Sequence, residues 1–101
     1  MDAAALPQPD EIRIAVIGLG YVGLPLAVGF GRVLPTLGLD INVARIAELK
    51  EFRDHTLEVS SDALRGAEHL RCSNDEKDLA GCNVFIVTVP TPIDSFKRHG
   101  T

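Results

Sequence analysis

The patterned part of the chain begins with "EIRIAVIG", where Ile12, Ile14, Ala15, Val16 and Ile17 form an almost unbroken apolar run. Such a run offers no polar face to water. It reads as a strand buried on both sides, as in a parallel sheet. The next stretch, "YVGLPLAVGFGRVL", changes period. Leu24, Val28 and Leu34 fall on one side of a helix, and Pro25 lies near its first turn, where a missing N–H is tolerated. "TLGLDI" is a short second strand that closes on Asp40. Asn42 suits the cap of a helix "VARIAELKEFRD", with Val43, Ile46 and Leu49 inward and Glu48, Lys50 and Glu51 mostly outward.

Further on the signals shorten. Ser61 or Asp62 can cap a helix over about 62–69, and "LRCS" is a brief third strand. Asn74 or Asp75 caps a short helix "EKDLAG", which Gly81 ends. "NVFIVTV" is a fourth strand, again too apolar to face water. "PTPID" is a rigid turn and "SFKRHGT" a polar tail. Strands alternating with helices imply right-handed crossovers. The expected fold is α/β: a Rossmann-like parallel sheet with helices on both faces, of about four strands in the order 3-2-1-4. Residues 1–10 read as a flexible lead, 11–92 as the folded half-domain and 93–101 as a tail. In that order the strand over 83–89 lies at an edge. Exposed apolar edges invite pairing with another chain, so a homo-oligomer through this strand is expected.

At 101 residues the chain is one domain at most, with 46% hydrophobic and 24% charged residues. The net charge of −4 argues against a nucleic-acid or anionic-membrane partner. The N-terminus has neither a basic segment nor a long apolar one, so no signal peptide is read there. The glycines and Pro25 interrupt the longest apolar stretch, so no membrane span is read, and a cytoplasmic location is expected. Cys72 and Cys82 lie ten residues apart without clustered histidines. That is not a zinc spacing, and buried free thiols are the simplest reading.

Against this frame, Gly18-Leu19-Gly20-Tyr21-Val22-Gly23 directly follows a buried strand and opens a helix. In that context G-x-G-x-x-G gives each glycine a task. Gly18 permits a tight turn, Gly20 lets a pyrophosphate reach the backbone, and Gly23 lets helix and strand pack closely. The N–H groups of Tyr21, Val22 and Gly23 at the helix start would hold phosphate. Asp40 closes the second strand 22 residues after Gly18, the place for a carboxylate that accepts ribose hydroxyls. It would also repel a 2′-phosphate, favouring NAD over NADP. Arg45 either lines the ribose pocket or is a solvated helix arginine. At the carboxyl end of the fourth strand, the backbone of Val89, Pro90 and Thr91 and the Thr91 hydroxyl are candidate cofactor contacts. His55, His69 and His99 are scattered. No acid–base, nucleophilic or metal-binding constellation stands out, so no catalytic residue is assigned.

"IAVIGLGYVGLPLA", "LDINVARIAELK", "DHTLEVS" and "CNVFIVTVPTPID" together resemble the NAD-binding domain of the nucleotide-sugar 6-dehydrogenases, over about residues 11–98. The nearest branch by this resemblance is the UDP-N-acetyl-hexosamine 6-dehydrogenases of bacterial capsule and O-antigen synthesis. The resemblance implies oxidation of the C6 alcohol of a UDP-sugar to a carboxylate with two NAD in succession. It implies NAD contacts at Gly18, Gly20, Gly23, Asp40, Arg45 and the Pro90–Thr91 loop. It places the catalytic cysteine and lysine, and the UDP-sugar site, in parts of the family's chain that this sequence does not contain. The expectation is therefore a piece of an NAD-dependent enzyme, not catalytic alone. The alternatives are a stand-alone nucleotide- or partner-binding module, and the front half of another NAD dehydrogenase, against which "VTVPTPID" speaks.

Overall fold

A computed structural model describes residues 9–88. After a 3-10 turn at Pro9–Glu11, the elements in chain order are β1 (Ile14–Ile17), α1 (Gly23–Gly31), β2 (Thr36–Leu39), α2 (Val43–Lys50), α3 (Ser61–Gly66) and β3 (Leu70–Ser73). A 3-10 helix (Glu76–Gly81) and β4 (Val84–Val87) complete it. The four strands form one parallel sheet in the order β3-β2-β1-β4. This is the expected architecture and strand order.

Strand side chains alternate between faces, and the register aligns Ile14 with Val84 and with Thr36. One face therefore carries Ile14, Val16, Cys72, Val84 and Ile86. All three helices pack there, contributing Leu24, Ala27, Val28, Ile46, Leu49 and Leu64 to a single apolar cluster. Burying an aliphatic side chain of this size contributes about 1.5–3 kcal/mol, so this cluster dominates the stability. The opposite face carries Leu37, Arg71, Ser73, Phe85 and Val87. Over it crosses the Glu76–Gly81 helix, fastened by Ser73 Oγ donating to Asp78 Oδ2 and by Arg71 beside Asp78. That cover stops short of β4. Phe85 is 52% exposed and Val87 65%, whereas an ordinary parallel strand is buried on both faces.

Helix ends were the least legible part. The periodicity carries α1 to Leu34, but it stops at Gly31, whose carbonyl accepts from His69 N–H at 2.8 Å. A Cβ on Gly31 would come within 2.6 Å of Leu70 Cβ, so the helix abuts β3 there. The second helix is expected through Asp54 yet ends at Lys50. Phe52 N–H bonds Leu49 O and Arg53 N–H bonds Glu48 O, a Schellman closure with Phe52 in the left-handed region at φ 62°. The Arg65 guanidinium sits 4.5 Å above the Phe52 ring and helps hold it there. The third helix is capped by Ser60 rather than Ser61 or Asp62, and it ends at Gly66. The "EKDLAG" helix is 3-10, capped by Asp75. Val43 is exposed rather than inward.

Leu57 also lies in the left-handed region, at φ 60°, and its side chain is 85% exposed. It pays conformational strain and recovers little by burial. Leu57→Gly removes a left-handed penalty of about 1 kcal/mol against a smaller entropic loss. A small rise in thermal midpoint is expected by calorimetry, and a fall would show that the Leu57 side chain holds the loop.

Candidate functional site

The carboxyl ends of β1, β2 and β4 meet around the glycine turn. Gly18 adopts φ +97°, a conformation that a side chain rarely takes. A Cβ there would collide with the Thr88 carbonyl oxygen, and one on Gly23 would collide with the Gly18 carbonyl oxygen. The two glycines are thus required by backbone shape and by close approach of α1 to β1. Gly20 differs: nothing lies within 4 Å of where its Cβ would be. That open side is where a ligand can approach the backbone. No side chain caps α1, whereas α2 and α3 are capped by Asn42 and Ser60. The Leu24 N–H is already taken by Gly20 O at 3.1 Å and Pro25 has none, so at the start of α1 it is the Gly23 N–H that can turn to an external acceptor.

The turn is held by side chains from three directions. Thr88 Oγ1 donates to Gly18 O at 2.8 Å, while Leu19 N–H donates to Asp40 Oδ2 at 2.9 Å. These bonds grip opposite ends of the same Gly18–Leu19 peptide group. Arg45 Nε donates to Leu19 O at 2.8 Å and so grips the next one. The Leu19 side chain itself is buried in the core and packs against Gly38. Asp40 Oδ1 also accepts from Asn42 N–H, at 2.9 Å. Each carboxylate oxygen can accept two hydrogen bonds, so both keep capacity for a ribose diol.

Arg45, read from sequence as either a pocket residue or a solvated one, is buried at 6% exposure. Its Nη1 lies 2.7 Å from Asp54 Oδ1 and 3.2 Å from Glu48 Oε2. Its Nη2 is buried and has no partner among the described residues. Tyr21 and Val22 have exposed side chains at the mouth of the turn. Val89, Pro90 and Thr91 lie outside the described residues.

Asp54 was not singled out by sequence. The Asp-x-Thr spacing is an Asx-turn signal and is its one local trace. Its side chain is fully buried. Beyond Arg45 it accepts from Thr56 N–H and Oγ1, and from Glu58 and Val59 N–H. Burial alone would raise its pKa. The hydrogen bonds from Thr56, Arg45 and Val59 outweigh it and hold the carboxyl well below the usual aspartate range. Nearby, Glu48 accepts from His55 N–H and lies 2.7 Å from His55 Nδ1. Cys72 is a half-buried free thiol whose pKa burial pushes up to about 11, and Cys82 is shifted the same way. Neither is an activated nucleophile. Among the described residues no cluster of His, Cys, Asp and Glu could hold a metal ion, and no helix is long and apolar enough to cross a membrane.

A parallel sheet with a tight glycine turn, an uncapped helix after it and a carboxylate closing the second strand defines a dinucleotide-binding Rossmann domain. Residues 12–100 match the UDP-glucose/GDP-mannose dehydrogenase family, NAD binding domain, and the chain belongs to that family. It is 54% identical over 88 residues to a UDP-N-acetyl-D-glucosamine 6-dehydrogenase of Pseudomonas aeruginosa, covering 87% of this chain and 21% of that protein. Against the enzyme of the same description from Salmonella typhi the identity is 48%, covering 88% and 21%. The solved UDP-D-ManNAc dehydrogenase of Pyrococcus horikoshii superposes with a TM-score of 0.75 at 36% identity, covering 80% of this chain and 21% of that one. The chain thus spans about a fifth of the length of the relatives it matches.

The depressed pKa of Asp54 has a sign that can be tested. Its stabilisation is fully present above the unfolded value near 3.8 and is lost as pH falls toward the lower folded value. In urea titrations below pH 4, a slope of up to about 1.4 kcal/mol per pH unit is expected from this group. Asp54→Asn should flatten the slope; an unchanged slope would assign the acid sensitivity elsewhere.

Proposed function

We propose that this domain holds NAD for a nucleotide-sugar 6-dehydrogenase that oxidises the C6 hydroxyl of a UDP-N-acetylhexosamine to a carboxylate, in capsule or O-antigen synthesis. The observation that carries the reading is the locked turn: two successive peptide groups are fixed by Thr88, Asp40 and Arg45, beside an open Gly20. The residues present suit the cofactor. Gly20 leaves room for a pyrophosphate, and the buried Arg45 Nη2 has a donor to give.

In this reading the backbone N–H groups of Gly20, Tyr21, Val22 and Gly23 face the phosphates, with Gly18 shaping the turn. Asp40 accepts the adenosine ribose hydroxyls and Arg45 supplies positive charge behind them. Val89, Pro90 and Thr91 complete the pocket from the β4 side. Bound NAD supplies the hydride acceptor. The chain's own residues bind and orient it, and the groups that act on the sugar belong to the remainder of a longer enzyme. The activities of these relatives support the substrate class. A cytoplasmic location fits an enzyme that draws on NAD and UDP-sugars.

Calorimetric titration tests the site. Asp40→Ala should weaken NAD by about tenfold or more, since it removes charged hydrogen-bond acceptors. NADP should bind the unaltered chain less tightly than NAD. Equal NAD affinity with and without the carboxylate would remove Asp40 from the ribose site, and preference for NADP would make Arg45 the selector.

We also propose self-association through the edge strand expected over residues 83–89, where Phe85 and Val87 are exposed and β4 pairs on one side only among the described residues. Light scattering at high protein concentration should give a dimer or larger species, and Phe85→Lys should reduce it. A monomer throughout the range would overturn this assembly.

A further inference from the structure

Asp54 makes no approach to the glycine turn, yet a continuous path joins them. Asp54 Oδ1 holds Arg45 Nη1 at 2.7 Å, and Arg45 Nε holds Leu19 O at 2.8 Å. The peptide from Leu19 to Gly20 is planar and trans, so its N–H points opposite to its C=O. Fixing the Leu19 oxygen inward against Arg45 therefore turns the Gly20 N–H outward, on the residue whose surroundings are open. The orientation of that N–H is set by where the guanidinium stands. The guanidinium in turn is set mainly by Asp54, with Glu48 contributing a longer contact at 3.2 Å.

Asp54 is itself unusually constrained. Oδ1 also accepts from the Thr56 N–H and hydroxyl, and Oδ2 accepts from Glu58 and Val59 N–H. One carboxylate thus folds the 54–59 segment around itself and presents a fixed charge to Arg45. A buried carboxylate with this many donors is a rigid anchor rather than a mobile counter-ion.

We propose that Asp54 is a positioning residue for the cofactor: acting through Arg45, it holds the Leu19–Gly20 peptide so that the Gly20 N–H faces the pyrophosphate, without itself touching the ligand. This rests on the NAD reading above. It extends the site into the α2–α3 connection, which carries no proposed contact with the ligand.

The test uses the 101-residue chain labelled with ¹⁵N, together with a double-mutant cycle. Without ligand, Asp54→Asn should move the Gly20 amide resonance while amides of β2 stay in place. In NAD titrations Asp54→Asn should weaken binding about tenfold, the effect of losing one charge-assisted hydrogen bond from the path. In an Arg45→Lys background, which lacks the Nε–H to Leu19, the same change should cause little further loss. An unmoved Gly20 amide, or equal losses in both backgrounds, would overturn the proposal. If the unaltered chain fails to bind NAD, the cofactor reading falls, and the ligand-free Gly20 shift still decides whether Asp54 sets the peptide. Should Asp54→Asn not fold, the unaltered protein decides. The Arg45 Nε–H should exchange with solvent far more slowly than those of exposed Arg53 and Arg65, and equally fast exchange would overturn the path.

Discussion

Leu19 sits between two peptide groups that the fold grips from opposite sides, and the rest of the arrangement follows from that grip. Its N–H goes to Asp40 at the end of β2, and its C=O goes to Arg45 on α2. Its side chain is sunk against Gly38 in the middle of β2. A residue held by both backbone groups and by packing leaves its neighbours little choice. Gly18 is driven into a positive φ, and Gly20 is left facing outward. Gly23 is drawn so close to Gly18 that no side chain fits. The turn is therefore shaped before any ligand arrives, which lowers the ordering cost of binding.

The same constraint explains how charge is used. Two carboxylates lie close to the turn's supports and do different work. Asp40 is partly exposed and keeps acceptor capacity toward the cleft. Asp54 is wholly buried and spends its lone pairs on the protein. Breaking a buried pair such as Arg45–Asp54 from one side costs about 3–5 kcal/mol, because the other charge is left without compensation. The pair is thus more a device for fixing position than a source of net stability. The apolar cluster under the three helices carries the stability instead.

Much of this was legible in the sequence, for physical reasons. The apolar runs at 14–17 and 84–87, the glycine spacing and the place of Asp40 all depend on local pattern, and strand order follows from the handedness of crossovers. The Gly18 turn and the close approach at Gly23 were legible too, because a missing side chain is visible in sequence. What escaped were features decided by distant contacts. α1 ends where His69 reaches back to Gly31, and α2 ends because Phe52 accepts a left-handed conformation usually taken by glycine. Arg45 was ambiguous because an arginine on a helix looks alike whether it faces water or a buried aspartate nine residues on. The Thr88 hydroxyl's hold on Gly18 escaped as well, because it depends on a pairing across seventy residues.

That last bond bears on the order of folding events. β1 and β2 come together over a short connection, and β2 joins β3 over one of moderate length. β4 pairs with β1 only after nearly the whole described chain has been closed into a loop, and such closures come at an entropic cost that local contacts do not bear. The Gly18 carbonyl finds Thr88 only at that stage. The glycine turn therefore acquires its final shape with the docking of the most non-local strand. A nascent chain that has built its first three strands has a sheet and helices, but its glycine turn is still unfinished.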